Sequence, residues 1–105
     1  MNPLPAFTAL RTARAAMLQA ARAGDWDAVA AEERRCARLV EDLRLHGEAA
    51  LEPAQLARQR GLIRQALADG DEVRRLAEQR RRALDAQLAE ARNARRIDAA
   101  YASAP

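Results

Sequence analysis

A chain of 105 residues with 28 Ala, 18 Arg, 13 Leu and 8 Glu has room for one small core, which excludes a multi-domain enzyme. Those four residue types fill 67 positions, well past the roughly 50% share that marks long helices, so the expected fold class is all-α. Eighteen basic and 15 acidic residues leave a net charge of only +3, so a pI near 10.3 describes a balanced surface rather than a nucleic-acid footprint.

About half of the residues are hydrophobic, yet 28 of them are Ala, and one Phe, one Trp and one Tyr are the only aromatics. The core is therefore thin, as in a bundle that gains stability by binding something. All basic residues are Arg and none is Lys, which together with the Ala excess reads as the coding bias of a GC-rich bacterial genome. A single Cys and a single His exclude a disulfide framework and a Cys/His zinc cluster, and no cofactor is expected. No apolar run approaches the ~20 residues of a spanning helix. The start Met1-Asn2-Pro3-Leu4-Pro5 lacks a signal-peptide pattern, so the expected address is the cytoplasm, without membrane insertion.

In chain order, Pro3 and Pro5 suit the beginning of a helix over residues 5–23, stopped by Gly24. Asp25 is placed to cap a second helix over 25–46, with Trp26 and Asp27 in its first turn and His46 beside Gly47 as a C-terminal cap. Pro53 opens a third helix over 53–69, which the Asp69-Gly70 pair is expected to end. Asp71 would cap a fourth helix over 71–100, of roughly 43 Å, leaving a short tail at 102–105. The prediction is a single helical domain over 1–105, a small antiparallel bundle of about four helices with a long C-terminal helix.

Each segment carries an apolar stripe at spacings of three and four. The stripes are Phe7, Leu10, Met17, Leu18 and Ala21; Trp26, Val29, Cys36, Leu39, Val40 and Leu43; Leu56, Ile63 and Leu67; and Val73, Leu76, Ala77, Leu84, Leu88 and Ala91. One polar residue interrupts each: Arg14, Glu33, Arg60 and Arg80, read as long stems snorkelling at the core edge. Net charge by segment is +3 for 1–24, −4 for 25–52, +2 for 53–70 and +2 for 71–105, so the acidic second helix is expected to lie between the first and third.

There is no Gly-rich phosphate loop, no HExxH, no EF-hand loop and no local nucleophile signature. Cys36 on an apolar stripe reads as an inert small hydrophobe, and Asp25-Trp26-Asp27 as a cap and staple rather than a metal site. Arg80-Arg81-Arg82 fans around a helix, and Glu78 and Asp71 lie four residues before Arg82 and Arg75, so this charge reads as a solvated, paired face without direct nucleic-acid binding. What remains is surface for another protein.

The block Gly24-Asp25-Trp26-Asp27, preceded by Met17-Leu18 and followed by Leu39-Val40 and Leu43, resembles the flagellar FliT-type export chaperones. So does the later pattern Leu62-Ile63, Leu67, Asp71, Val73-Arg74, Leu76, with Ala100-Tyr101 after Arg95-Arg96; the resemblance covers nearly the whole chain. It implies a cytoplasmic chaperone that binds the C-terminal segment of the filament cap protein FliD, prevents its premature assembly and delivers it to the type III export apparatus. Contacts with export-apparatus components and with the flagellar master transcription regulator are further implied partners. Carried onto this chain, the groove for FliD would draw on Leu39, Val40, Leu43, Leu56, Ile63 and Leu67, and a gating helix on Val73, Leu76, Arg80, Leu84 and Leu88. The chain is expected to be a monomer or weak homodimer. The competing reading is a small helical regulatory or scaffold protein that acts by self-association or by binding a transcription regulator; an enzyme is not expected.

Overall fold

A computed structural model describes residues 2–46 and 51–103. Among them there are three helices and no strand: α1 (Leu4–Arg22), α2 (Trp26–His46) and α3 (Pro53–Ala102). The all-α expectation holds, but the number of helices does not. The predicted third and fourth helices are one continuous helix of 50 residues.

Local chemistry sets the ends of α1. The Leu4 amide donates to Asn2 Oδ1 at 3.0 Å, replacing one of the partners that the first helical turn lacks. At the other end Gly24 takes φ of +75°, the only positive φ among the described residues. Its amide donates to the Ala21 carbonyl at 3.1 Å while Asp25 N–H reaches back to Ala20 at 2.9 Å, the paired bonds of a Schellman closure. Asp25 then caps α2 as predicted, its Oδ1 accepting from Ala28 N–H at 3.1 Å. The predicted staple is absent, because the position before the cap is Gly24 and has no side chain to pack. Pro53 opens α3 as predicted, behind a Glu52/Gln55 capping box in which Glu52 N–H donates to Gln55 Oε1 at 3.0 Å. His46 ends α2 exposed; its expected neighbour Gly47 lies outside the described residues, as does the end of the 102–105 tail.

The Gly70-Asp71 pair does not break α3, because tertiary packing overrides the local signal. Ala66, Gly70 and Val73 are buried on one face of α3, so the helical phase runs straight through the glycine. A Cβ at Gly70 would lie 2.5 Å from Arg14 Nη1, so the missing side chain makes room for a guanidinium from α1. Asp71 is not a cap; it pairs with Arg74, and Glu72 with Arg75, in place of the predicted Asp71–Arg75 pair. The Glu78–Arg82 pair forms as predicted, at 3.4 Å.

The second correction concerns order. α1, rather than the acidic α2, lies in the middle and packs against both other helices, while α2 and α3 make no close backbone approach among the described residues. Leu10, Ala13, Met17, Leu18 and Ala21 of α1 meet Val29 and Cys36 of α2 and Ala66 and Val73 of α3 to form the core. Ala13 is 0% exposed, the point where a larger side chain would push the helices apart. Apolar packing outweighs segment charge here: every ion pair among the described residues joins neighbours on one helix, three or four positions apart. Such exposed pairs are screened by solvent and stabilise less than one buried aliphatic side chain does.

Arg11 Nε donates to Gln65 Oε1 at 3.0 Å, and Arg14 lies beside Gly70, so α1 and α3 run parallel with α2 antiparallel to both. In this register α1 runs out near Glu78, and every described residue of α3 beyond it is exposed. The Gln79–Ala102 stretch is an overhang of roughly 36 Å. The molecule measures 81 × 21 × 17 Å.

Gly61 lies inside α3 with nothing within 4 Å of the position a Cβ would take. Gly61→Ala should therefore stabilise the fold by about 1 kcal/mol through backbone entropy alone, raising Tm by about 4–8 °C in a thermal melt.

Candidate docking groove

Because α1 supports α2 and α3 without bringing them together, a groove is left between them with α1 as its floor. Its volume is about 750 Å³. The floor is Arg14 and Met17; one wall is Trp26, Val29, Ala30, Glu33, Cys36, Ala37 and Val40 of α2; the other is Gly70, Val73, Arg74, Ala77 and Arg80 of α3. Both walls follow helical spacings of three and four, so a single face of each helix is presented. Small residues, Ala30 and Ala37 opposite Gly70 and Ala77, keep the walls from meeting.

One contact spans the groove from wall to wall. The Arg80 guanidinium lies 5.3 Å from the centroid of the Trp26 ring, a cation–π geometry that bridges α3 to α2 at the end where α2 begins. The three Arg of the groove differ in what holds them: Arg74 pairs with Asp71, Arg80 sits over Trp26, and Arg14 has no carboxylate within 4.0 Å among the described residues. Arg14 Nε is buried with no hydrogen-bond partner. Burial raises the thiol pKa of Cys36, opposed by the nearby Arg14 guanidinium, which favours thiolate, and reinforced by Glu32.

The residues singled out in the sequence distribute unevenly around this groove. Of the six assigned to it, Val40 lines it; Leu39 and Leu43 are half-buried against the core, Ile63 is half-buried on α3, and Leu56 and Leu67 are exposed. Of the five assigned to a gate, Val73 and Arg80 belong to the α3 wall, Leu76 packs against the core, and Leu84 and Leu88 stand on the overhang, 41% and 59% exposed. The sequence reading missed Arg14 and Glu33 as groove residues. Their signal was present: Arg14, Glu33 and Arg80 each interrupt an apolar stripe, and the fold gathers those three interruptions around one cavity. Arg60, the fourth interruption, is exposed elsewhere on α3.

No group of three His, Cys, Asp or Glu side chains suited to a metal ion occurs among the described residues, and none of their helices is long and apolar enough to cross a membrane. The groove has a mostly apolar lining and a positive charge at its floor.

Since folding raises the Cys36 pKa, the thiol stays protonated to higher pH than in the unfolded chain, and its contribution to stability is lost as pH rises through the folded pKa. Iodoacetamide should alkylate Cys36 at least tenfold more slowly in the native protein than in denaturant at pH 8, with the gap narrowing as pH rises; equal rates would contradict its burial.

The family model described as flagellar protein FliT matches residues 4–103. No curated protein and no solved structure matches the chain. The match spans all three helices and both walls of the groove, and the chain belongs to the FliT family of flagellar proteins.

Proposed function

We propose that this chain is a cytoplasmic export chaperone that holds the C-terminal segment of the filament cap protein FliD in the groove between α2 and α3, prevents its premature assembly and delivers it to the type III export apparatus. The observation that carries this reading is the groove itself: an open, mostly apolar channel between two helices, in a chain of a flagellar family. An amphipathic helical segment placed there would bury its apolar face against Met17, Val29, Val40, Val73 and Ala77. Such burial is worth about 25 cal/mol per Å², less the cost of ordering the segment. Export-apparatus components and the flagellar master transcription regulator are further partners under the same reading.

Gating takes a particular form in this fold. Val73 is part of the core, so a swing of α3 starting at Gly70 would tear a buried side chain out of the bundle. The movable element is instead Arg80, whose bridge to Trp26 closes one end of the groove and yields when a segment enters. A cation–π contact at such a site contributes about 0.5–1 kcal/mol, enough to tune affinity without blocking it.

The exposed Leu84 and Leu88 support a second reading, self-association of the overhang as part of a scaffold. They continue the helical face of Ala66, Gly70, Val73 and Ala77 beyond the end of α1.

Calorimetric titration with the FliD C-terminal segment from the same genome tests both. Saturable one-to-one binding is expected, with Arg80→Ala tightening it a few-fold. A cut after Arg82, which keeps the core and both walls, should retain binding. Absence of binding by the folded chain, with concentration-dependent mass in light scattering that the cut abolishes, would put the scaffold reading first.

A further inference from the structure

The groove is apolar except at a few points, and those points are not electrically neutral. Arg14, Arg74 and Arg80 face a single acid, Glu33. Two of the three cations are occupied, by Asp71 and by the Trp26 ring. Arg14 is the one left over. It rises from the floor beside Gly70, toward the end of the groove away from Trp26 and Arg80, half-buried, with Gly70 lacking the side chain that would collide with its Nη1. A guanidinium carries five donors and stays charged at any physiological pH. Its Nε is buried without an acceptor, and on α2 the guanidinium has only the Cys36 thiol within hydrogen-bonding influence, a weak acceptor that burial keeps protonated. Buried donors without partners are uncommon and costly, and a carboxylate that meets a guanidinium in a desolvated cleft forms one of the stronger side-chain hydrogen bonds.

Deepening the docking reading above, and resting on it, we propose that Arg14 is the specificity-determining residue of the groove: it selects a helical segment whose apolar stripe is interrupted by one Asp or Glu, which pairs with the Arg14 guanidinium. Apolar contacts with Met17, Val29 and Val73 then hold the segment, while the acid fixes its register along the groove. A purely apolar segment leaves Arg14 desolvated and unpaired, so the groove discriminates against it. The chain's own overhang is a poor occupant. From Arg81 to Ala102 it carries five Arg against three acids, and a second copy seated in the groove would bring further positive charge to a site that already has a surplus.

The test is a double-mutant cycle in calorimetry on the full-length chain, with the FliD C-terminal segment as the probe. Arg14→Met keeps the apolar stem and removes the charge; Arg14→Lys keeps the charge and loses the fork. Each acidic residue of the segment is changed in turn to its amide. Expected is a loss of about tenfold or more for Arg14→Met, a smaller loss for Arg14→Lys, and one acid in the segment whose amide variant costs the same against the wild-type chain and nothing further against Arg14→Met. Added salt should weaken the wild-type complex more than the Arg14→Met complex. Melting followed by circular dichroism identifies any variant whose fold is lost, and Arg14→Gln then replaces it. Unchanged affinity for a folded Arg14→Met, or the absence of any coupled acid, overturns the proposal while leaving the groove reading in place. No binding by the folded wild-type chain overturns both.

Discussion

The architecture depends on one shared apolar edge. α1 offers Leu10, Ala13, Met17, Leu18 and Ala21 to two helices at once, and neither neighbour has another surface to lean on. Ala13, fully buried in this core, carries almost no side chain, so α1 can be approached closely where it sits. A bulkier core would fill the space between α2 and α3. The thin core and the open groove go together, since Leu45, Leu56, Leu67, Leu84 and Leu88 of α2 and α3 stand exposed and none of them lines the gap.

How much of the fold is legible in the sequence follows the range of the signal. Gly24-Asp25 fixes its own conformation through bonds to residues at most five positions away, and its prediction as a stop followed by a cap matches the structure. Gly70-Asp71 has the same letters and the opposite outcome. Its fate is decided by Arg14, more than fifty positions earlier, and by Ala66 and Val73, which keep the helical phase across the glycine. Local propensity is the weaker influence wherever a buried stripe continues on both sides. The expected placement of the acidic α2 in the middle failed for a related reason. Charge sums describe exposed surface, and exposed surface does not order the helices of a small core.

The groove was less legible than the fold. Apolar residues were the natural markers for a docking surface, yet Leu39 and Leu43 are used inside the bundle, and Leu56 and Leu67 face water away from the cavity. The better marker was heterogeneity. A charged residue set within an apolar stripe carries a desolvation cost, and a fold can offset that cost by placing the residue at a cleft where water or a partner reaches it. Arg14, Glu33 and Arg80 share that property, and what joins them in space is the register that α1 imposes on its neighbours. Sequence spacing within one helix cannot reveal it.

The unbroken α3 has a hydrodynamic consequence. A compact domain of this length would have a radius of gyration of about 13 Å, whereas this chain reaches 21.5 Å. A rod of this kind tumbles slowly about its short axes and travels through a porous matrix as a globular protein of considerably greater mass would. Early elution from a sizing column is thus a property of one copy, and a stoichiometry for this chain has to come from mass measured independently of shape.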